Sequence, residues 1–291
     1  MVKENRLLLV PSGGLGNRMR AIASAWQLCR RTDSTLQVVW FQGWGMHAAF
    51  ADLFEPIVAD GLSLREARWY DYAVNDRPRR HNLWLPWLPQ RLYYRGRVIS
   101  ELQVAGLRDG GFDFDGWLRG GSQGGGGCHG RRHYMSCYDE FGTFGDSCYA
   151  SLFRPNRHVM QLVAGYRRQL RGYVIGMHIR RTDHVDAISK SPVELFLNVG
   201  QRELSAHPDL TIFLATDSEE VKQQLRRVFG KRVVTSAHEA SRDSVAGLRE
   251  GLADLWMLSR CRHIYGSSGS SFSVMAARLG GCGLTVCEVG V

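Results

Sequence analysis

Tyr173-Val174-Ile175-Gly176-Met177-His178-Ile179-Arg180-Arg181-Thr182-Asp183 is the stretch on which the fold turns. An apolar, β-prone run ends abruptly in a histidine, two arginines, a threonine and an aspartate. This is the pattern of a buried parallel strand that delivers side chains to a ligand crevice at its carboxyl end. Adjacent arginines at such a place suit phosphate, because guanidinium forks match phosphate oxygens bidentately. The competing reading is a solvated strand end, or an ion pair with Asp183.

Beyond this stretch strands and helices alternate. Ser191-Pro192-Val193-Glu194 reads as a capping box with proline at the first helical position, and the helix runs to about Ala206. Leu210 to Thr216 is a buried strand ending in Asp217, and Ser218-Glu219-Glu220 opens the next helix with acids in its first turn. Arg232 to Val234 is a short strand. Leu248, Leu252, Leu255 and Trp256 mark an amphipathic helix. His263 to Tyr265 is a strand, and Gly266 to Ser271 turns into a helix through Leu279, before a last strand at Leu284 to Cys287. Such alternation implies a mostly parallel sheet covered by helices on both faces.

The chain opens the same way. Arg6 to Val10 is a strand, Pro11 to Asn17 a glycine-rich turn, and Met19, Ile22, Ala23, Trp26 and Cys29 fall at helical spacing. A second strand, Thr35 to Phe41, completes a βαβ unit. The turn is not a dinucleotide fingerprint, because Gly14-Leu15-Gly16 lacks a third glycine. Nor is it a Walker loop, since no Gly-Lys-Ser/Thr closes it. Its backbone N–H groups can still approach an anion or a sugar closely. A helical, basic segment from Phe153 to Arg171 leads to Gly172, and the domain boundary is placed near residue 165, giving domains 1–165 and 166–291.

With 291 residues, 44% of them hydrophobic, the chain can bury two cores. No apolar run reaches the ~18 residues of a membrane span, and the start lacks a secretory core, so a soluble, cytoplasmic protein is expected. The net charge of +9 fits nucleic acid, an anionic membrane surface or a small anionic substrate. The arginines are dispersed in short pairs, which disfavours a nucleic-acid tail. Seven cysteines without an even framework suit a reducing compartment.

Residues 42–130 are aromatic-rich: Trp44, Trp69, Tyr70, Tyr72, Trp84, Trp87, Tyr93 and Tyr94 either stack on sugars or pack a core, and packing is the commoner fate. Asp113-Phe114-Asp115 could ligate a metal on a nucleotide diphosphate, but it sits between glycines away from any strand end. Cys128, His129, His133, Cys137 and Cys148 cluster without a Cys-x2-Cys pair, so an irregular loop is preferred over a zinc clamp. Gly120 to Gly130 reads as a lid or an insertion.

At this point the sequence resembles the GDP-fucose-dependent fucosyltransferases, above all the α1,6 group that includes the nodulation enzyme. Gly13 to Trp40, His178 to Asp183 and Asp254 through Ser273 carry the likeness. The resemblance implies an α/β, GT-B-like arrangement of two Rossmann-like domains facing across a cleft. It also implies inverting, metal-independent transfer of fucose to a glycan or glycolipid hydroxyl, with no cofactor beyond the GDP-fucose donor. Arg180 matches the pyrophosphate arginine and His178 the histidine beside the nucleotide. Arg181 orients the loop, through Asp183. Ser270 and Ser271 match the serines that receive phosphate at a helix N-terminus, and Asp254 matches the carboxylate that reads guanine. Gly14, Gly16 and Asn17 would line the cleft from the other domain. Where the α1,6 enzymes carry a glutamate after the arginine pair, this chain has none until Glu194. Asp186 is therefore the candidate base, with Asp183 the alternative.

The expected partners are a GDP-sugar and a glycan or glycolipid, not nucleic acid. The basic surface also admits peripheral membrane contact. Two alternatives stay open: a non-catalytic nucleotide- or glycan-binding protein of the same fold, and a transferase using another GDP-sugar.

Overall fold

A computed structural model describes residues 4–43, 46–75, 92–94, 97–120, 130–142, 145–181, 185–236 and 243–290, with backbone alone at 73–74 and 185–187. Trp44, Trp84, Trp87, Cys128, His129, Asp183 and His184 lie outside the described residues, as does most of the glycine run. The chain divides into two compact units, Met1–Arg154 and Pro155–Val291.

The first unit holds a five-stranded sheet in the order β3-β2-β1-β5-β4. Its strands are β1 (Arg6–Pro11), β2 (Thr35–Trp40), β3 (Leu62–Glu66), β4 (Val98–Ile99) and β5 (Arg132–Cys137). Every pairing is parallel. Leu7, Leu8, Leu9 and Val10 of β1 are all buried. A central parallel strand is covered on both faces, so it reads as an unbroken apolar run rather than an alternating one. The helix Leu15–Arg31 follows, with Arg30 and Arg31 in its last turn, where the helix dipole favours cations.

The second unit repeats the plan: β6 (Val174–Ile179), β7 (Thr211–Thr216), β8 (Val233–Thr235), β9 (His263–Ser267) and β10 (Gly283–Cys287) pair in the order β10-β9-β6-β7-β8, all parallel. The chain winds outward from β6 through β7 to β8, then returns to the other side of β6 as β9. Strand order therefore reverses between β6 and β9. In open α/β sheets ligands bind outside the carboxyl ends of the strands at that reversal.

Two differences from the sequence reading have clear causes. The dividing line falls between Arg154 and Pro155, ahead of residue 165. The helix Arg157–Arg167 belongs to the second unit because it packs on the helix Val245–Leu258, and Tyr166 Oη donates to Glu250 Oε2 at 2.5 Å. The capping box at Ser191 is not formed. The helix Val193–Ala206 takes Pro192 as its N-cap without a side-chain bond, while the buried Ser191 hydroxyl accepts instead from the Ser268 N–H at 2.8 Å.

Among the described residues no helix is long and apolar enough to cross a membrane. The described aromatics divide: Tyr94 packs on Tyr134 and Tyr72 on Phe41, while Trp69 is 84% exposed and Tyr93 51%.

Candidate functional site

Side chains alternate along β6. Ile175, Met177 and Ile179 join a core with Phe196, Leu225 and Phe229, on the side of the helices Val193–Ala206 and Glu219–Phe229. Gly176 and His178 face the other way. A Cβ on Gly176 would lie 2.8 Å from Leu258 Cδ2 and 3.2 Å from Cys261 Sγ. The missing side chain lets the helix Val245–Leu258 lie down on this face, where it packs on β6 and β7.

That contact sets the height of Asp254. It stands one turn before Leu258 on the same helix face, about 6 Å nearer the carboxyl ends of the strands. His178 stands about 6.6 Å beyond Gly176 in the same direction. Both groups thus lie toward the carboxyl ends of the strands. Asp254 is 2% exposed, and its Oδ1 is buried without any hydrogen-bond partner. Burial pushes its carboxyl well above the usual range; Glu250 adds to the rise and Lys222 opposes it. Lys222 is itself buried, its Nζ donating to Ser236 O at 3.1 Å.

His178 is equally enclosed. Burial, with help from the Arg180 charge, pulls its imidazole down to about 4, against the pull of Asp217, so the ring is neutral at pH 7. Its Nδ1 lies 3.3 Å from Ser270 Oγ, and Phe272 lies against its ring at 4.8 Å. Ser270 is the N-cap of the helix Ser271–Gly280, yet its hydroxyl makes no cap bond. With that hydroxyl turned to His178, the first-turn N–H groups at Ser271 receive no side-chain cap from it.

The Arg180 N–H donates to Ser267 Oγ at 3.2 Å, and Ser267 Oγ donates to His178 O at 3.4 Å, so the ends of β6 and β9 are tied side by side. Arg180 is half-buried. Arg181 does something different. Its N–H donates to Asp217 Oδ1 at 2.7 Å, and its guanidinium donates to Ile188 O at 3.2 Å and Ser191 O at 2.6 Å. It braces residues 188–191 through the carbonyls of Ile188 and Ser191, and Asp183 lies outside the described residues. Ser268 Oγ donates to Glu288 Oε2 at 2.7 Å.

The structure thus brings together His178, Arg180 and Ser270, with Ser271 next in the chain, while the charged neighbours of Asp254 on its own helix and beside it are Glu250 and Lys222. Asp186 lies on the helix Val185–Lys190, and its side chain is outside the described residues. Gly14, Gly16 and Asn17 lie in the first unit, where Gly14 is the N-cap of the helix Leu15–Arg31 and Asn17 Oδ1 accepts from Arg20 at 2.9 Å.

Sequence reasoning missed the parts played by Ser191, Ser267, Lys222 and Glu250. Only Ser267 left a signal, in the run Gly266 to Ser271; the other three become visible through burial and partners alone. Asp113 and Asp115 are committed elsewhere. Asp113 Oδ1 accepts from Gly116 N–H as an N-cap, and Asp115 pairs with Arg31 at 2.9 Å. His133 packs against Trp117, and Cys137 Sγ lies 3.0 Å from Asp139 O. Among the described residues no three potential ligands gather around one point.

No family model matches the chain, and no curated protein matches it by sequence. Solved structures do match by fold. NodZ α1,6-fucosyltransferase soaked with GDP-fucose is 21% identical, with a TM-score of 0.62, covering 95% of this chain and 93% of that one. Arabidopsis thaliana FUT1 in complex with GDP is 14% identical, with a TM-score of 0.65, covering 98% of this chain and 71% of that one. POFUT1 in complex with GDP is 13% identical, with a TM-score of 0.59 and 99% of each chain covered. The chain shares the α/β fold of these fucosyltransferases, with two five-stranded parallel sheets.

Proposed function

We propose that the second unit binds a GDP-sugar at the β6/β9 reversal and that the protein transfers the sugar, fucose by its likeness to the neighbours, to a hydroxyl of a glycan or glycolipid. One observation carries this reading. Asp254 holds a buried carboxylate oxygen with no hydrogen-bond partner, in the same unit in which His178 touches a helix N-terminus beside Arg180.

Guanine presents an N1–H and an exocyclic amino group side by side, which are the two donors an ionised Asp254 needs. Adenine and uracil offer no such pair. The diphosphate would take the N–H groups at Ser271 and the Ser270 hydroxyl, since helix N-termini favour anions. Neutral His178 adds no charge and stays free to hydrogen-bond.

In transfer, the bond between the sugar C1 and the diphosphate oxygen breaks and its electrons pass to GDP. Arg180 is the group we assign to meet that charge, because donors aimed at developing charge lower the barrier most. The acceptor oxygen attacks C1 from the opposite side and inverts it. The acceptor proton goes to Asp186, the assigned base, with Asp183 as the alternative. Arg181 positions the segment that carries them.

Calorimetry with GDP, ADP and UDP tests the donor assignment. GDP alone should bind tightly; equal or absent binding of all three ends the reading. Incubation with GDP-fucose and a glycan panel tests the reaction. Asp186→Asn should keep GDP affinity and lose transfer, and a variant that transfers normally removes Asp186 from the role of base. GDP binding with neither transfer nor donor hydrolysis would instead mark a non-catalytic binding protein.

A further inference from the structure

The first unit carries a cavity of about 530 Å³ that the donor chemistry leaves unused. Its size falls within the range of about 300–1,000 Å³ common for ligand pockets. Its walls include Arg20, Arg108, Phe112, Phe114, Asp139 and Glu140.

Local structure explains why these side chains meet. Asp139 follows β5, and its two oxygens part company: Oδ1 faces Arg20 at 3.2 Å and Oδ2 faces Arg108 at 2.6 Å. Arg20 also donates to Asn17, which ties this wall to the turn after β1. Arg108 reaches Asp109 at 2.8 Å and the Glu140 carbonyl at 3.3 Å. Glu140 Oε2 accepts from Tyr149 Oη at 3.3 Å. Phe112 is half-buried and stands edge-on to Phe114 at 5.0 Å, and Phe114 is anchored on Phe141.

As a stability device this arrangement is poor. Partly exposed ion pairs contribute about 0–1 kcal/mol each, and these surround an open volume instead of closing it. As a recognition surface it is well equipped. A guanidinium has five N–H donors and a carboxylate about four acceptor positions, more than the bonds of Arg20 and Arg108 to Asp139, Asp109, Asn17 and the Glu140 carbonyl occupy. The lining sets two guanidiniums against two carboxylates. It is neutral overall although the protein is +9, which gives a phosphate or polyanion no advantage. Planar acids and guanidiniums beside an aromatic ring match a sugar. Vicinal hydroxyls donate to one group and accept from the other, and the ring offers a surface to the C–H face.

We propose that this cavity is a saccharide-binding site for a neutral sugar unit of the acceptor, distinct from the unit that receives the transferred sugar. The word acceptor rests on the transfer reading above; the binding of a neutral saccharide does not.

The test uses the whole protein and free tetrasaccharides of β1,4-linked N-acetylglucosamine, glucose, xylose and mannose, with a sulfated tetrasaccharide as the anionic control. Binding is followed by saturation-transfer NMR and calorimetry. At least one neutral tetrasaccharide should bind, and Asp139→Asn and Phe112→Ala should each weaken it by about tenfold or more. Phe112→Trp should retain it, which keeps the test valid if Asp139→Asn folds poorly. GDP affinity should stay within about twofold throughout. Failure of every neutral tetrasaccharide to bind, preference for the sulfated one, or equal binding by Phe112→Ala overturns the proposal. Saccharide binding without GDP binding would sink the donor assignment and leave this site standing; the reverse would sink this site alone.

Discussion

The two units share a sheet plan but not a chemistry. In each, the first strand lies at the centre and an arginine beyond its end donates to backbone carbonyls of loops nearby. Arg18 donates to Gly13 O at 3.0 Å and Phe41 O at 2.7 Å and lies over the Trp40 ring. Arg181 donates to Ile188 O and Ser191 O. Past the brace they diverge. The crevice beside β6 gathers Arg180, a neutral histidine and a helix N-terminus, the set to which we assign the diphosphate. Beside β1, the Ser12 hydroxyl donates to Glu101 Oε2 at 2.6 Å and the Glu101 N–H donates to Ser136 Oγ at 3.0 Å, an acid-and-hydroxyl set. A shared scaffold thus fixes where a ligand sits, and a handful of side chains at the strand ends fixes which ligand.

The widest separation between the units should appear on Arg180→Ala. Loss of a donor aimed at the leaving diphosphate should cost about 10²–10³ in kcat, while saccharide binding by the first unit stays unchanged. Turnover within a few-fold of the parent would erase the proposed division of labour. Arg18→Met makes the opposite cut. It leaves two carbonyls without their donor and should cost roughly 2–4 kcal/mol of stability. Burial already holds the Arg18 guanidinium down at about 9, partly countered by Glu66, so its charge is kept at a cost the brace offsets. GDP affinity measured below the melting transition should not move; if it falls as far as stability does, the units do not act separately.

Asp254→Asn sharpens the contrast further, because it should trade function for stability. The folded-state carboxyl is raised above its unfolded value. Its contribution to stability is therefore full below the unfolded pKa and is lost as pH rises through the folded one. Unliganded protein should grow less stable along that rise, and the asparagine variant should not. At neutral pH the variant should melt higher yet bind GDP about ten- to a hundredfold more weakly, since hydrogen bonds to a charged group are worth about 1.5–3 kcal/mol. In the parent, GDP affinity should increase with pH through the same window, with a proton released on binding. Thermal melts and GDP titrations across pH read both signs.

The opening βαβ unit and the strands of the second sheet were legible because periodicity and burial write themselves into sequence, whereas β3, β4 and β5 lie in stretches that the sequence left unread. Arg6 to Val10 and Leu210 to Thr216 read as short apolar strands, and the structure has β1 and β7 there. The resemblance then pointed to His178, Arg180 and Ser270, which meet where β6 and β9 end, and to Asp254, which is buried beside Glu250 and Lys222. What stayed hidden depends on partners remote in sequence. Nothing near Lys222 announces that it is buried under Ser236 O, and nothing near Glu250 announces Tyr166. Asp113-Phe114-Asp115 is disfavoured as a metal pair by its place between glycines, but spacing cannot show that one acid caps a helix and the other meets Arg31. Ser191 misled for the same reason: a hydroxyl before Pro192 has the spelling of a cap, whatever it bonds.

Ser191→Ala separates those two meanings and should have the smallest effect. If the hydroxyl served only the helix Val193–Ala206, its loss would cost stability and leave nucleotide binding alone. As bonded, it holds the Ser268 N–H at 2.8 Å, and its own carbonyl receives Arg181. Removing it should cost about 1 kcal/mol of stability and also loosen the serine turn that leads to Ser270. GDP affinity should then fall severalfold while affinity for the neutral saccharide stays put, and Ser191→Thr should restore both stability and GDP affinity. A melt that drops with no change in the GDP titration would return Ser191 to a structural part and leave the serine turn held by Ser267 and Glu288.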